Sequence, residues 1–164
     1  MLSKVLGGPN QNKKMASYSR TDWVLLGIRL ILGITFMLHG SQLLFGAFNG
    51  GGLTATMSAK GPGGGGTIGL LVAIGQFFGG LGILLGFLSR FSAVTISIIM
   101  LDALLIIHFS HGFFIQEGGF EYTLALIGLS LPIVILGPGA LNIGRFLPLL
   151  PKHAVTGQPV LVLE

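Results

Sequence analysis

The sequence predicts an all-α fold, an integral membrane four-helix bundle with both termini in the cytosol. Hydrophobic residues make up 51% of the 164 residues and charged residues only 9%, whereas soluble domains carry about a quarter charged residues. The apolar residues fall into four runs, each close to the length of about 20 residues with which a helix crosses a bilayer. The chain contains no cysteine, which excludes disulfides, thiol redox chemistry and cysteine-bound metal within it.

The first of the four runs follows a polar, basic stretch. Residues 1–22 are predicted to be a cytosolic tail, and the first span follows at about residues 23–46. A secretory signal peptide is the alternative, because positive charges precede an apolar run. The run is too long for such a signal, is interrupted by Arg29 and lacks a small-residue cleavage site. These features favour an uncleaved transmembrane helix.

A glycine-rich stretch, residues 47–66, separates the first span from the second. It contains eight glycines, one proline and a single lysine, Lys60, and is predicted to be a flexible or irregular linker. Its G-P-G-G-G-G run at 61–66 lacks the preceding strand and the following Gly-Lys-Ser/Thr of a phosphate-binding loop. No nucleotide site is therefore predicted there.

The remaining runs predict three more spans, at about residues 67–88, 91–109 and 121–137. The second span carries glycines three or four residues apart, a spacing that lets another helix approach closely, and the predicted packing positions are Gly75, Gly79, Gly82 and Gly86. The third span follows after the shortest connection, and a short polar loop at 110–120 precedes the fourth. The G-P-G sequence at 137–139 ends the fourth span, and residues 142–164 are predicted to be a cytosolic tail.

The basic residues predict the orientation of the bundle. With four spans, Lys60 lies alone on one side, and seven basic residues fall on the side of the amino terminus: Lys4, Lys13, Lys14, Arg20, Arg90, Arg145 and Lys152. Cytosolic segments are enriched in lysine and arginine, so both termini are predicted to be cytosolic. These residues are dispersed at helix ends and form no patch with interleaved aromatic residues, so no nucleic-acid surface is predicted.

Two opposite charges lie within the predicted spans, Arg29 in the first and Asp102 in the third. A charge that stands alone in hydrocarbon is costly, which predicts that these two residues form a structural ion pair. The alternative is that Arg29 extends its side chain to the cytosolic head groups.

Other polar residues in or near the spans predict a ligand site in the bundle. His39 and Gln42 are three residues apart and share a helix face. Together with four further candidates they would form a polar layer from the bundle centre to the outer surface; the candidates are Gln76, Asp102, His108 and Glu121. The alternatives are hydrogen bonds between helices for His39 and Gln42 and a helix-terminal carboxylate for Glu121.

A metal site is not predicted. His108 and His111 have the spacing of half a site, but no third ligand stands at a fixed spacing from them, so interfacial histidines are the favoured interpretation.

Several motifs occur in a fixed order along the chain. The first is R-L-x-L-G-x-x-F-x-x-H-G-x-Q-x-L-F-G at 29–46, followed by G-G-L-G-I-L-L-G-F-L-S-R at 79–90, M-L-D-A at 100–103, E-Y at 121–122 and G-P-G-x-L at 137–141. In these motifs the chain resembles the DoxX family of small four-helix membrane proteins, which includes the DoxD-type subunits of thiosulfate:quinone oxidoreductases. Family members commonly carry a glutamate near the position of Gln76 and an aspartate where this chain has Asn142 or Gly144. Both departures remove a charge.

The resemblance implies the cytoplasmic membrane of a bacterium or archaeon and an association with membrane redox chemistry. Arg29, His39, Gln42 and Gly46 fall in the best-marked motif. One function that it implies is a subunit that binds a quinone or similar amphipathic ligand beside a redox partner. The alternative, indicated by the glycine-lined helix faces and the lack of a catalytic, metal-binding or phosphate-binding motif, is a non-catalytic accessory or assembly subunit of a larger complex. The expected partners are the lipid bilayer and other membrane subunits; no covalently bound cofactor is expected, and whether the chain is an enzyme is left open. A transporter is disfavoured because four short spans leave little room for alternating access.

Overall fold

The computed structural model describes residues 18–60 and 65–144, and every regular element in these two ranges is helical. Five α-helices follow one another along the chain: α1, Arg20–Phe45; α2, Gly52–Ser58; α3, Gly66–Leu85; α4, Ser89–Asp102; and α5, Glu121–Leu136. Beyond Asp102 the helix continues as a π-helical segment, Ala103–His108, and then as a 3-10 turn, Phe109–His111.

The four long helices pack side by side in a ring, in the order α1, α3, α4, α5. Neighbouring helices run antiparallel: Gly33 faces Leu84 and Gly40 faces Phe77 between α1 and α3. The hydroxyl groups of Ser97 and Ser130, 2.6 Å apart, join α4 to α5. The apolar core lies inside this ring and consists of Leu32, Phe36, Ile83, Ala93, Ile96, Met100, Leu126 and Ile133.

Three helices of the described part are long and apolar enough to cross a membrane: Arg20–Phe45, Gly66–Leu85 and the continuous segment Ser89–His111. The fourth, α5, has 16 residues, which corresponds to about 24 Å of helix. The all-α fold is thus confirmed together with three candidate spans, whereas the four-span count and the orientation stay predictions.

The predicted linker at 47–66 contains more structure than its glycines indicate. Ala47–Asn49 forms a 3-10 turn, and α2 packs against α1 and α3. The Thr56 hydroxyl donates to the Leu43 carbonyl oxygen at 2.9 Å, which attaches α2 to the last turns of α1. A short helix fixed by tertiary contacts therefore stands where an irregular segment was predicted.

The predicted tails lie mostly outside the described residues, because nothing is described before residue 18 or after residue 144. The described end of the first tail is already helical: Ser19 caps α1 and exchanges hydrogen bonds with Asp22, a capping box. At the other end, Asn142 and Gly144 are buried against the bundle rather than free of it. Five of the basic residues used for the orientation fall outside the described ranges: Lys4, Lys13, Lys14, Arg145 and Lys152.

Candidate functional site

Arg29 is the most fully enclosed polar side chain of the first motif, with 1% of its surface exposed. Its guanidinium group donates only to backbone carbonyl oxygens, on α3 and on the segment after α5. On α3, Nε donates to Ile83 at 2.8 Å and Nη2 to Leu84 at 2.9 Å. On the later segment, Nη1 donates to both Pro138, at 3.0 Å, and Leu141. One side chain thus connects three parts of the chain that are distant in sequence.

The residues around Arg29 explain how these carbonyl groups come together. α3 ends at Gly86 in the left-handed conformation, with φ +75°, and a methyl group there would overlap the guanidinium group. The segment 137–144 then folds across the end of the bundle. Asp22 accepts a hydrogen bond from the Ala140 nitrogen at 2.7 Å, and the Ile143 nitrogen donates to Leu85 at 2.9 Å. Buried donors and acceptors are therefore paired around the arginine, as a stable interior requires.

The structure does not bring Arg29 and Asp102 together, so the predicted ion pair is not formed. Side chains on a helix tilt toward its amino terminus, and Arg29 accordingly reaches the level of Gly86, where α3 ends. Asp102 lies 13 residues beyond Ser89, the first residue of α4, which places it about 20 Å further along the bundle. Its side chain is exposed. The alternative, in which Arg29 reaches head groups, does not describe the structure either, because the guanidinium group is enclosed by backbone.

The six predicted ligand residues do not converge on one layer. His39 and Asp102 are both exposed, on α1 and α4, which do not adjoin in the ring. Gln42 is half-buried, and its backbone lies against Gly50 of the following turn. His39 and Gln42 therefore lie on the surface of α1, next to the connection that follows it. They do not line a common cavity with the other predicted ligand residues.

His108 and Glu121 contribute to the connection between α4 and α5. The Nδ1 atom of His108 lies 2.6 Å from the Gly118 carbonyl oxygen, and Glu121 accepts from the Ile115 nitrogen at 3.1 Å. The Nδ1 atom of His111 lies 3.1 Å from the Ile107 carbonyl oxygen. Within residues 18–60 and 65–144 no three histidine, aspartate or glutamate side chains are grouped closely enough to hold a metal ion.

Gln76 is the predicted ligand residue with an unexplained feature. It lies on the same face of α3 as the buried residues Ala73, Gly80 and Ile83. Its side-chain oxygen is buried and has no hydrogen-bond partner among the described residues. A buried polar atom without a partner costs about 1–3 kcal/mol. The group therefore points to a donor that the described chain does not supply.

The predicted packing glycines have two different surroundings. Gly75, Gly79 and Gly82 contact side chains of α4, among them Ile96 and Ser92, whereas Gly86 faces Arg29 and Asn142. Beside the first three, a groove of about 440 Å³ runs between α3 and α4 and is open to the outside of the bundle. Its lining is almost wholly apolar and includes Phe78, Phe87 and Phe91, but none of the six predicted ligand residues.

Sequence reasoning missed the residues that complete the Arg29 site. Asp22 was assigned to a tail, and Asn142 was noted only as a departure from the family pattern. The available signal was the G-P-G sequence at 137–139, since a helix-breaking run directly after an apolar span exposes carbonyl groups that an arginine can bind. Every residue has a backbone carbonyl oxygen, so the residue types in the sequence do not show which of these oxygens Arg29 binds.

The DoxX family model matches residues 24–109, which is more than half of the chain and includes Arg29, Gln76 and Asp102. No curated protein and no solved structure matches the chain.

Proposed function

This chain belongs to the DoxX family, and we propose that it acts as a subunit of a larger membrane assembly, which it joins through the outward face of α4. The resemblance to redox-associated members favours a component of membrane redox chemistry as the partner. The observation that carries the proposal is the exposed Asp102 on an otherwise apolar helix face. The proposed setting is the cytoplasmic membrane of a bacterium or archaeon, with four spans and both termini in the cytosol.

The surroundings of Asp102 support an interface. The exposed side chains nearest to it along this face are aliphatic, with Ile98 62%, Leu101 48% and Leu105 57% exposed. Asp102 lies about 20 Å from one end of the segment Ser89–His111 and about 13 Å from the other, so its short side chain reaches neither interface. A carboxylate at such a depth costs roughly 2.5–3.5 kcal/mol in lipid. A partner helix that offers a cationic or hydrogen-bond-donating side chain at this depth removes that cost.

The orientation proposal is supported by the described charges. Arg20 opens α1 and Arg90 lies in the first turn of α4, and because neighbouring helices are antiparallel both lie at the same end of the ring. Lys60 follows α2 at the opposite end. The end with Arg20 and Arg90 is therefore proposed to face the cytosol.

Co-purification from native membranes in mild detergent tests the assembly proposal. Asp102→Asn keeps the shape of the side chain but removes its charge, and it should retain about tenfold less partner than the unaltered protein. Glu117→Gln is the matched control, because Glu117 is an exposed carboxylate outside the α4 span, and it should retain the partner fully. Equal retention by Asp102→Asn, or a protein that purifies with no partner at all, would count against the proposal.

A second candidate function rests on Gln76, namely the binding of a quinone-type head group in the bundle. An amide can accept a hydrogen bond from a quinol hydroxyl group or, rotated by 180°, donate one to a quinone carbonyl group. Its unpartnered buried end suits either form of such a ligand. The polar residues predicted to help are not gathered around it, which is why this function ranks second.

Thermal unfolding of the purified protein with a short-chain quinol tests the second candidate. At a ligand concentration of 100 times Kd, binding should add about 2.7 kcal/mol of stability. Gln76→Leu should abolish this increase without lowering the stability of the ligand-free protein, since the replaced group has no partner. If the quinol stabilises Gln76→Leu as much as the unaltered protein, Gln76 does not bind it.

A further inference from the structure

We infer that the connection between α4 and α5, residues 109–120, lies in the interfacial region of the bilayer, where its exposed aromatic and aliphatic side chains contact lipid. This connection follows the π-helical end of α4 and leads into the first residue of α5, Glu121. The inference is separate from the α4 interface and from Gln76, because none of the residues involved belongs to either.

The first argument is the length of α5. Its 16 residues measure about 24 Å, whereas the hydrocarbon core of a typical bilayer is about 30 Å thick. The adjoining segment Ser89–His111 has 23 residues and is long enough to span. With α5 as the fourth proposed span, the chain that adjoins it covers the missing depth, and residues 109–120 are the connection that leads into α5.

The second argument is the character of the exposed side chains. Phe109 is 61% exposed, Phe114 62%, Ile115 49% and Phe113 46%. Phe120 packs against two of them: its ring stacks on that of Phe109 and meets that of Phe113 edge to face. A contiguous apolar patch of this kind is unusual on a surface that faces water. Aromatic side chains are common at the level of the lipid head groups.

The third argument is that the connection pairs its own polar groups, as chain within a membrane must. The Gly119 nitrogen donates to Phe114 and the Phe120 nitrogen to Gly112. The Glu121 nitrogen donates to Phe113, and the Glu121 carboxylate in turn accepts from the Ile115 nitrogen. His108 pairs with the Gly118 carbonyl group. These pairs satisfy much of the backbone of the connection, and its exposed surface combines the apolar patch with a few polar side chains, among them Gln116 and Glu117.

Tryptophan fluorescence in vesicles of the purified protein tests the inference. The chain has one tryptophan, Trp23, so Trp23→Phe provides a background without tryptophan into which Phe114→Trp is introduced. Phosphatidylcholine brominated on the upper carbons of its acyl chains should quench the new tryptophan strongly. Acrylamide in the water should quench it several-fold less than a control tryptophan at Lys60→Trp, an exposed residue at the same end of the bundle.

The result that would overturn the inference is quenching of Phe114→Trp by acrylamide to the level of Lys60→Trp, with no effect of the brominated lipid. Ile115→Trp provides a second probe in case Phe114→Trp fails to fold, which circular dichroism would show. Brominated lipid quenches only a side chain that it contacts, so lipid quenching at either position supports the membrane as the partner of this surface.

Discussion

The charged side chain of Arg29 is stabilised by hydrogen bonds to backbone carbonyl groups, and its role is therefore structural. Its donors join Ile83 and Leu84 at the end of α3 to Pro138 and Leu141 beyond α5. These carbonyl groups belong to a helix end and a turn, so they have no partners within a regular helix. The arginine thereby closes the end of the bundle at which α1 begins, and four of its five N–H groups are engaged by these carbonyl groups.

Replacing Arg29 should therefore unfold the bundle more readily than replacing any exposed basic residue. Arg29→Met keeps an apolar stem and removes a donor from four carbonyl groups. The Ile83 oxygen still accepts from the Gly86 nitrogen, but the other three are left unpaired, at a cost of at least about 3 kcal/mol, because each buried unpaired group costs about 1–3 kcal/mol. Thermal unfolding in detergent, followed by helical circular dichroism, measures the effect. Arg90→Met is the control and should change the stability by less than about 1 kcal/mol, since Arg90 is exposed and donates one hydrogen bond, to the Ile135 carbonyl oxygen at 3.1 Å. Equal melting of the two variants would show that the carbonyl contacts contribute little.

The sequence identified Arg29 as a residue that needs an explanation but assigned it the wrong partner. The prediction rested on depth along the helix and on opposite charge, and both are incomplete guides. The arginine side chain reaches toward the start of its own helix, and its acceptors are main-chain oxygens that no residue type marks. By contrast, the sequence predicted that placing the Asp102 carboxylate in lipid costs free energy. The side chain is exposed in the structure, so packing within the bundle does not remove this cost.

At the scale of elements, the close approach of α1 and α3 is the tightest feature of the bundle. Methyl groups at Gly33, Gly40 and Gly80 would each overlap atoms of the facing helix; at Gly33, for example, the methyl carbon would lie 2.7 Å from the Leu84 Cβ atom. Small residues that allow backbones to approach are the usual basis of helix packing in membranes. The sequence pointed to the α3 glycines that face α4 and overlooked those that face α1.

Gly40→Ala should weaken the contact between α1 and α3, because its methyl group would meet the Phe77 backbone, which cannot move away as a flexible side chain can. We expect a loss of about 1–3 kcal/mol, typical of overpacking. Gly27→Ala is the control in the same helix. A methyl group there meets nothing within 4 Å, so the higher helix propensity of alanine should leave the protein equally stable or slightly more stable. A melting temperature for Gly40→Ala at or above that of Gly27→Ala would refute the close packing of these helices.

The element predictions succeeded where apolar runs are long and failed where glycine is frequent. The runs located α1, α3, α5 and the continuous segment Ser89–His111 to within about three residues of their observed ends. The stretch at 47–66 was predicted to be irregular from its glycines, yet α2 forms there through contacts with α1 and α3 that residue propensity does not encode. The π-helical segment at the end of α4 also has no pattern that distinguishes it from an α-helix.

At the scale of the whole molecule, the orientation in the membrane can be tested because the chain lacks cysteine. Single cysteines at Tyr18 and Lys60, both exposed and at opposite ends of the ring, would be treated with a membrane-impermeant maleimide in whole cells. Lys60→Cys should be labelled from outside, and Tyr18→Cys only after the membrane is permeabilised. Labelling of Tyr18→Cys in intact cells would reverse the proposed orientation.

Arg29, Asp22 and the segment 137–144 hold together the end of the bundle at which α1 begins. The Gln76 side-chain oxygen, which has no hydrogen-bond partner among the described residues, lies near the middle of α3. The exposed carboxylate of Asp102 lies nearer to the opposite end. This arrangement supports a structural role for Arg29, whereas the proposed function rests on the outward face of α4. The proposed function requires that a partner covers that face.

Site-specific photo-crosslinking in native membranes tests this claim most directly. A photoreactive amino acid would replace Ile98 or Leu105, which flank Asp102, and Ile31 on the exposed face of α1 would serve as the control position. We predict a discrete protein adduct from both α4 positions, lost when Asp102→Asn is added, and no such adduct from α1. The absence of a protein adduct from α4, or the same adduct from α1, would contradict the claim.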